Sequence, residues 1–385
     1  MLSREFYREL KNLREAANQS RGDADVLEQL SEDIETIVIA ERKDMDDLSL
    51  RKLFEATVED GHLALEDFNP NLRGMKRYRE SADVVSTALF AHTMGQIVYS
   101  ETLKAYQAPE LIGDRLVRVM PTQFSGEKIP GVTEIGDQVE IVGEGSPYPR
   151  ALVGECYIET PETIKRGLIV DITKEAIFFD RTNLILQRAG AVGKFIGVNR
   201  EKRILDVVLG ISTIYKRNGA AAIATYGSDN TITSSALVDW TDLDAADTKF
   251  SAITDPDTGE PIVITANTLI VPPALRNTAN RILNATMTGV TNSGVEARVN
   301  GNSLNSPYTV ESNQYVKARS SSDTTWFYGN PREAFVYMEN FPLTVITNTE
   351  NAHASFERDV VAQSKASERG AAGVFERRFM LKATA

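Results

Sequence analysis

The stretch that most constrains this chain runs from Arg166 to Gly219. It opens with RGLIVDIT, in which Leu168, Val170 and Ile172 alternate with Ile169, Asp171 and Thr173, the two-residue period of a strand expected to pack hard on at least one face. After KEAIFFD the chain runs without proline from Thr182 to Gly210. Leu184, Arg188, Ala191, Phe195, Val198, Lys202, Leu205 and Leu209 step by four and three, with Ile185, Val192, Ile196, Ile204 and Val208 beside them, which predicts one long helix with an apolar stripe. Asp180 or Thr182 can cap its start and Gly210 can end it. At 1.5 Å per residue such a helix is roughly 40 Å long. Gly190, Gly193 and Gly197 fall on one face, and each costs about 1 kcal/mol relative to alanine inside a helix. Two readings of that face stand equally: another element crosses closely there, or the helix is kinked. The charges of Lys194, Arg200, Glu201, Lys202 and Arg203 exclude a membrane span.

Around this helix the chain changes character twice. Residues 1–115 read as helical: Phe6, Leu10 and Leu13 mark one face, Leu27, Leu30, Ile34 and Ile37 another, LSLRKLFEATVEDG a third helix, and Ala82 to Ala108 a fourth stretch. Residues 116–165 carry β-branched runs broken by Pro121, Gly126, Pro130, Gly131, Gly136, Gly143, Gly145, Pro147 and Pro149, the pattern of a long, irregular hairpin. Its limbs hold Val132, Ile135, Val139, Ile141 and Val142 outward, and Tyr157 and Ile158 on the return, with Lys128 expected near the tip. A two-stranded hairpin is marginal in water, so it must lie on something, in this chain or a neighbour. Beyond the helix, Asn218–Gly219 signals a turn, ITANTLIVPPAL a buried strand stopped by Pro272 and Pro273, and Trp326, Phe327 and Tyr328 core anchors rather than a ligand cage.

The charge balance is 42 basic against 54 acidic residues, a net of −12, which argues against electrostatically driven nucleic-acid binding. A single cysteine, Cys156, excludes an intrachain disulfide or a cysteine-cluster metal site and reads as buried and inert. No leader-like segment is apparent, so neither secretion nor membrane insertion is indicated. His62, His92 and His353 are far apart, and there is no phosphate loop or dinucleotide fingerprint. No catalytic, cofactor-binding or metal-binding residue is therefore expected. The basic clusters at Lys76–Arg79, Lys165–Arg166, Arg200–Arg203 and Arg377–Arg378 read as intersubunit ion-pair candidates or as solvated faces, where an exposed pair is worth under about 1 kcal/mol.

The order of these segments resembles the tailed-bacteriophage major capsid protein of Hong Kong 97-like fold. The resemblance is carried by the broken hairpin, the strand feeding TKEAIFFD into the long helix ending REKRILDVVLG, TANTLIVPPALRNTANRIL, WFYGNPREAFVYMENFPLTVI, and FERDVVAQSKASERGAAGVFERRFMLKATA. It implies an α+β subunit with a helical N-terminal arm over 1–115, scaffold-like or retained up to about residue 74, and an extended loop (E-loop) over 116–165. The peripheral domain would comprise 166–210 and 340–385 around a spine helix at 182–210, and the apical domain 211–339. It further implies a non-enzymatic subunit assembling as hexamers and pentamers into an icosahedral shell in the virion, built in the host cytoplasm. Portal, scaffolding and decoration proteins are the implied partners, and double-stranded DNA is enclosed without sequence-specific binding. Candidate intersubunit or packing residues are Glu127, Lys128, Arg150, Lys165, Arg166, Gly190, Gly193, Gly197, Arg200, Arg203, Arg377 and Arg378. Two alternatives remain at this level: an encapsulin-like nanocompartment shell, and an enzyme with a site in 227–330.

Overall fold

The structure, a computed structural model, describes residues 4–19, 50–57, 93, 97–107, 111–131, 141–144, 148, 156–173, 182–255, 259–285, 287–290, 298–301, 308–348 and 360–385. Arg150, the three histidines, the face from Leu27 to Ile37 and most of the hairpin limbs lie outside these residues. The fold is α+β. Its described strands are β1 (Arg118–Pro121), β2 (Lys128–Pro130), β3 (Tyr157–Glu159), β4 (Ile164–Thr173), β5 (Thr231–Ile232), β6 (Thr268–Val271), β7 (Met287–Val290), β8 (Arg298–Gly301), β9 (Thr309–Ser312), β10 (Trp326–Gly329), β11 (Phe335–Asn348), β12 (Val360–Val374) and β13 (Met380–Ala383). They form a four-stranded sheet in the order β1-β11-β12-β4, a five-stranded sheet β5-β13-β10-β6-β9, and the two-stranded pairs β2-β3 and β7-β8.

The long helix is present as Thr182–Val208. Gly210 ends it at φ +71°, with the Ile211 N–H donating to Asp206 O at 2.9 Å, so the left-handed glycine stop anticipated from sequence is the one used. Of the expected apolar stripe, Ile196, Ile204, Leu205, Val208 and Leu209 are buried, while Phe195 is 64% exposed. The helix also buries Gly193, Gly197, Arg200, Glu201 and Val207, which that stripe did not include.

The chain divides into two compact units. The first comprises 1–108, 165–198 and 342–368. Here the helices Arg4–Gln19 and Leu50–Thr57 lie together. A small core joins Tyr106, Ile196, Leu343 and Ala366, with Val192 and Val345 beside it. The second comprises 109–164, 199–341 and 369–385 and holds the large core. Trp326, Phe327 and Tyr328 are each 1% exposed there, as the sequence predicts. They sit in the middle of a sheet where β10 pairs antiparallel with both β13 and β6. Trp326 Nε1 donates to Ser235 O at 2.9 Å and Tyr328 OH to Asp247 at 3.0 Å, so each polar tip is satisfied at the core's rim. The closing strand β13, grouped by the sequence with residues 166–210, pairs with β10 and β5 in this sheet. The acidic segment forms the helix Trp240–Ser251, started by a capping box between Asp239 and Asp242.

Candidate functional site

Three surfaces gather the residues singled out from the sequence. The first is the root of the extended loop. Lys128 was expected near the tip, but β2 pairs with β3 in the register Lys128↔Glu159, Ile129↔Ile158, Pro130↔Tyr157, so Lys128 stands at the base. The pairing continues one step further along, where the Gly131 N–H donates to Cys156 O at 2.9 Å. Lys128 Nζ is 3.7 Å from Glu159 Oε1 and 4.4 Å from the centroid of the Tyr157 ring. Glu127 is held through its backbone: its N–H donates to Thr160 Oγ1 at 2.8 Å, and its carbonyl accepts from Thr160 N and Oγ1 at 2.9 and 3.0 Å.

This root does not stand alone. Glu159 N donates to Lys216 O at 3.1 Å and Asn218 N to Tyr157 O at 2.9 Å, so the strand-like segment before the Asn218–Gly219 turn is its third member. Asn218 at φ 51° and Gly219 at φ 73° take the left-handed turn their types predict. Cys156 is half-buried rather than buried, and its Sγ accepts from Arg217 Nε at 3.0 Å.

The second surface is the C-terminal half of the long helix. Arg200 is buried, with Nε 2.8 Å from Asp114, Nη1 3.0 Å from Glu339, and its guanidinium 4.1 Å above the Tyr337 ring. Arg203 donates to Tyr337 OH and Gly370 O, each at 3.3 Å. Glu201 was missed as a structural residue because it hides inside the charged run REKR. It is 2% exposed, and its carboxylate accepts the N–H of Ile112 at 3.1 Å and of Gly113 at 2.6 Å, capping the short helix Gly113–Leu116 from a distance. Gly113 has to be glycine, since a Cβ there would stand 2.6 Å from Glu201 Oε2. Burial raises the Glu201 pKa above the usual carboxylate value, partly opposed by those two N–H groups.

At the C-terminus Arg378 is buried, forked onto Glu376 at 2.8 and 2.7 Å and 3.5 Å from Asp255, which in turn lies 3.6 Å from Arg217. Arg377 pairs with Asp229 at 2.7 Å. The arginines at 200, 203, 377 and 378 thus all bond within their own chain. A charge run in the sequence carries no sign of which side its partner lies on.

The third surface is β4 with the N-terminal half of the helix. Among the described strands β4 lies at an edge. Leu168 is 46% and Ile169 63% exposed and Val170 half-buried, so this part of the strand is packed less hard than expected. Lys165 is exposed and Arg166 half-buried on the same strand. On the helix, a Cβ at Gly193 would collide with the backbone of Thr102, so the segment 97–106 crosses there in close contact. Gly197 is buried, while at Gly190 no described atom lies within 4 Å of where a Cβ would be. Among the described residues the three-glycine face therefore has a crossing at its middle and open space at one end.

No curated protein matches the chain. Among solved structures it is similar to a subunit of Gordonia phage Cozz (10% identity, 71% of this chain and 85% of that one, TM-score 0.43). It is also similar to the capsid of cyanophage P-SCSP1u (11% identity, 70% and 86%, TM-score 0.46) and to the capsid of a native GTA particle (11% identity, 82% and 93%, TM-score 0.45). The family described as phage capsid protein matches residues 158–383, a span that runs from the loop root through both the long helix and the large core to β13. The chain belongs to the phage capsid protein family.

Proposed function

We infer that this chain is the major capsid subunit of a tailed phage or prophage, with a Hong Kong 97-like fold. Family membership over residues 158–383 supports a structural, non-enzymatic role. The observation that carries assembly is β4: a ten-residue edge strand whose apolar side chains Ile164, Leu168 and Ile169 are 54%, 46% and 63% exposed. Among the described residues such a strand presents both a pairing edge and an apolar surface to water. Ile141 at 103% and Tyr148 at 83% exposure extend the same character to the loop. Copies of the chain are the partners that would cover these surfaces.

In this reading subunits form hexamers and pentamers of an icosahedral shell in the virion, assembled in the host cytoplasm, that encloses double-stranded DNA without reading its sequence. Residues 166–210 and 340–385 serve as the peripheral domain and 211–339 as the apical domain, while 1–115 acts as the N-terminal arm. Lys128, Lys165 and Gly190 remain candidates for contact with neighbouring copies, and portal, scaffolding and decoration proteins are the expected further partners. Expression of the full chain alone and with the other head genes, followed by negative-stain microscopy, tests this directly. Closed shells are expected; a monomer under every assembly condition would refute it.

A further inference from the structure

The extended loop leaves the four-stranded sheet at a joint the sequence does not mark. β1 runs parallel to β11 as far as the pair Pro121↔Glu339, and one more ladder bond follows, Thr122 N to Glu339 O at 2.9 Å. There the backbone ladder stops and a side chain continues it. Asn340 Nδ2 donates to Thr122 O at 3.0 Å and to Phe124 O at 3.1 Å, carbonyls that would otherwise face no strand. Two carbonyl acceptors fix which end of the carboxamide faces the loop, since only the NH2 group can donate to both. The opposite end, Oδ1, is buried with no hydrogen-bond partner among the described residues, so there the bonds to the loop orient the amide. Past this clamp come Phe124, 64% exposed, and Gly126 at φ +81°. The chain is then caught again at Glu127 by Thr160. The five residues 122–126 are thus a short link held at both ends, once by Asn340 and once by Thr160.

We propose that Asn340 is the positioning residue of the extended loop: its carboxamide takes over from the β1–β11 ladder and sets the direction in which the loop leaves the subunit. Its consequence for shell formation rests on the capsid reading above; the clamp itself does not. Aspartate at 340 would turn the donor into an acceptor facing two carbonyls, which is worse than removing it.

The test compares Asn340→Ala, Asn340→Asp and Thr160→Val with the wild-type full chain. Hydrogen exchange in the unassembled subunit is expected to be about tenfold faster across 118–126 for Asn340→Ala and faster again for Asn340→Asp, with the β6 and β10 core unchanged. Thr160→Val should loosen 127–131 while leaving 118–124 protected, showing that the two anchors are separate. Both Asn340 variants should lose most closed shells in microscopy. Unchanged exchange at 118–126, or faster exchange spread over the whole subunit, overturns the clamp. Faster local exchange with normal shells overturns its role in positioning. A wild-type chain that forms no shells refutes the capsid reading, and the exchange comparison still decides the clamp.

Discussion

The two halves of the long helix solve the same packing problem by opposite means. From Gly190 to Val198 the helix offers Gly193 and Gly197 beside the buried Ile196, and the segment 97–106 crosses at Gly193 close enough that the Thr102 backbone occupies the place of a side chain. From Asn199 to Val208 it offers bulk and charge: Ile204, Leu205 and Val208 are fully buried in the large core, and Arg200 and Glu201 are buried among named partners. Close backbone approach tolerates no added volume, whereas a side-chain core tolerates no lost volume. One helix thus carries two opposite sensitivities.

The largest expected effect comes from overfilling the first half. Gly193→Leu must displace the Thr102 backbone rather than a flexible side chain, so a destabilisation of about 3 kcal/mol or more is expected, visible as loss of soluble, folded subunit in a thermal melt. The crossing element belongs to the same chain, so the loss is expected in the subunit itself before any assembly. A variant that melts like the wild type would dissolve the contrast between the halves. Emptying the second half is next: Ile204→Ala should cost about 2–4 kcal/mol in urea unfolding.

Glu201→Gln sharpens the comparison through pH. The folded pKa is raised above the model-compound value of 4.5, so the ionised form is disfavoured in the fold. The stability this group contributes is fully present below its unfolded pKa and is lost as pH rises through the higher folded pKa. Wild type should therefore lose stability relative to Glu201→Gln as pH is raised from about 4.5 in paired urea titrations. A gap that widens in the opposite direction would mean that the N–H groups of Ile112 and Gly113 outweigh burial.

The smallest effect belongs to Gly190→Ala. With open space around the position, alanine should raise subunit stability by up to about 1 kcal/mol through helix propensity, read as a higher melting temperature. If the same variant blocks shells while stabilising the subunit, Gly190 is a close contact between copies.

Local signals were legible wherever the physics is local. The Gly210 stop, the Asn218–Gly219 turn, the proline halt after β6 and the aromatic anchors of β10 all depend on backbone preference or burial tendency within a few residues. The candidate site was less so. Arg200 read as an intersubunit or solvated charge and Glu201 as part of the same run, because their partners, Ile112, Gly113, Asp114 and Glu339, are remote in the chain. Lys128 was displaced from tip to base because a run of strand-forming residues does not state where its pairing begins.

By itself, the sequence determined that a broken hairpin, a long helix and a set of strands follow one another in this order, since period, glycine and proline act through neighbouring residues. Only the tertiary structure decided which face of the helix is inside, that Thr102 fills the space above Gly193, and that Asn340 holds the loop's take-off. Those outcomes rest on partners remote in the chain, 86 residues apart for Arg200 with Asp114 and 218 for Asn340 with Thr122. Two residues that far apart are brought together by the summed burial of everything between them, which no local pattern encodes.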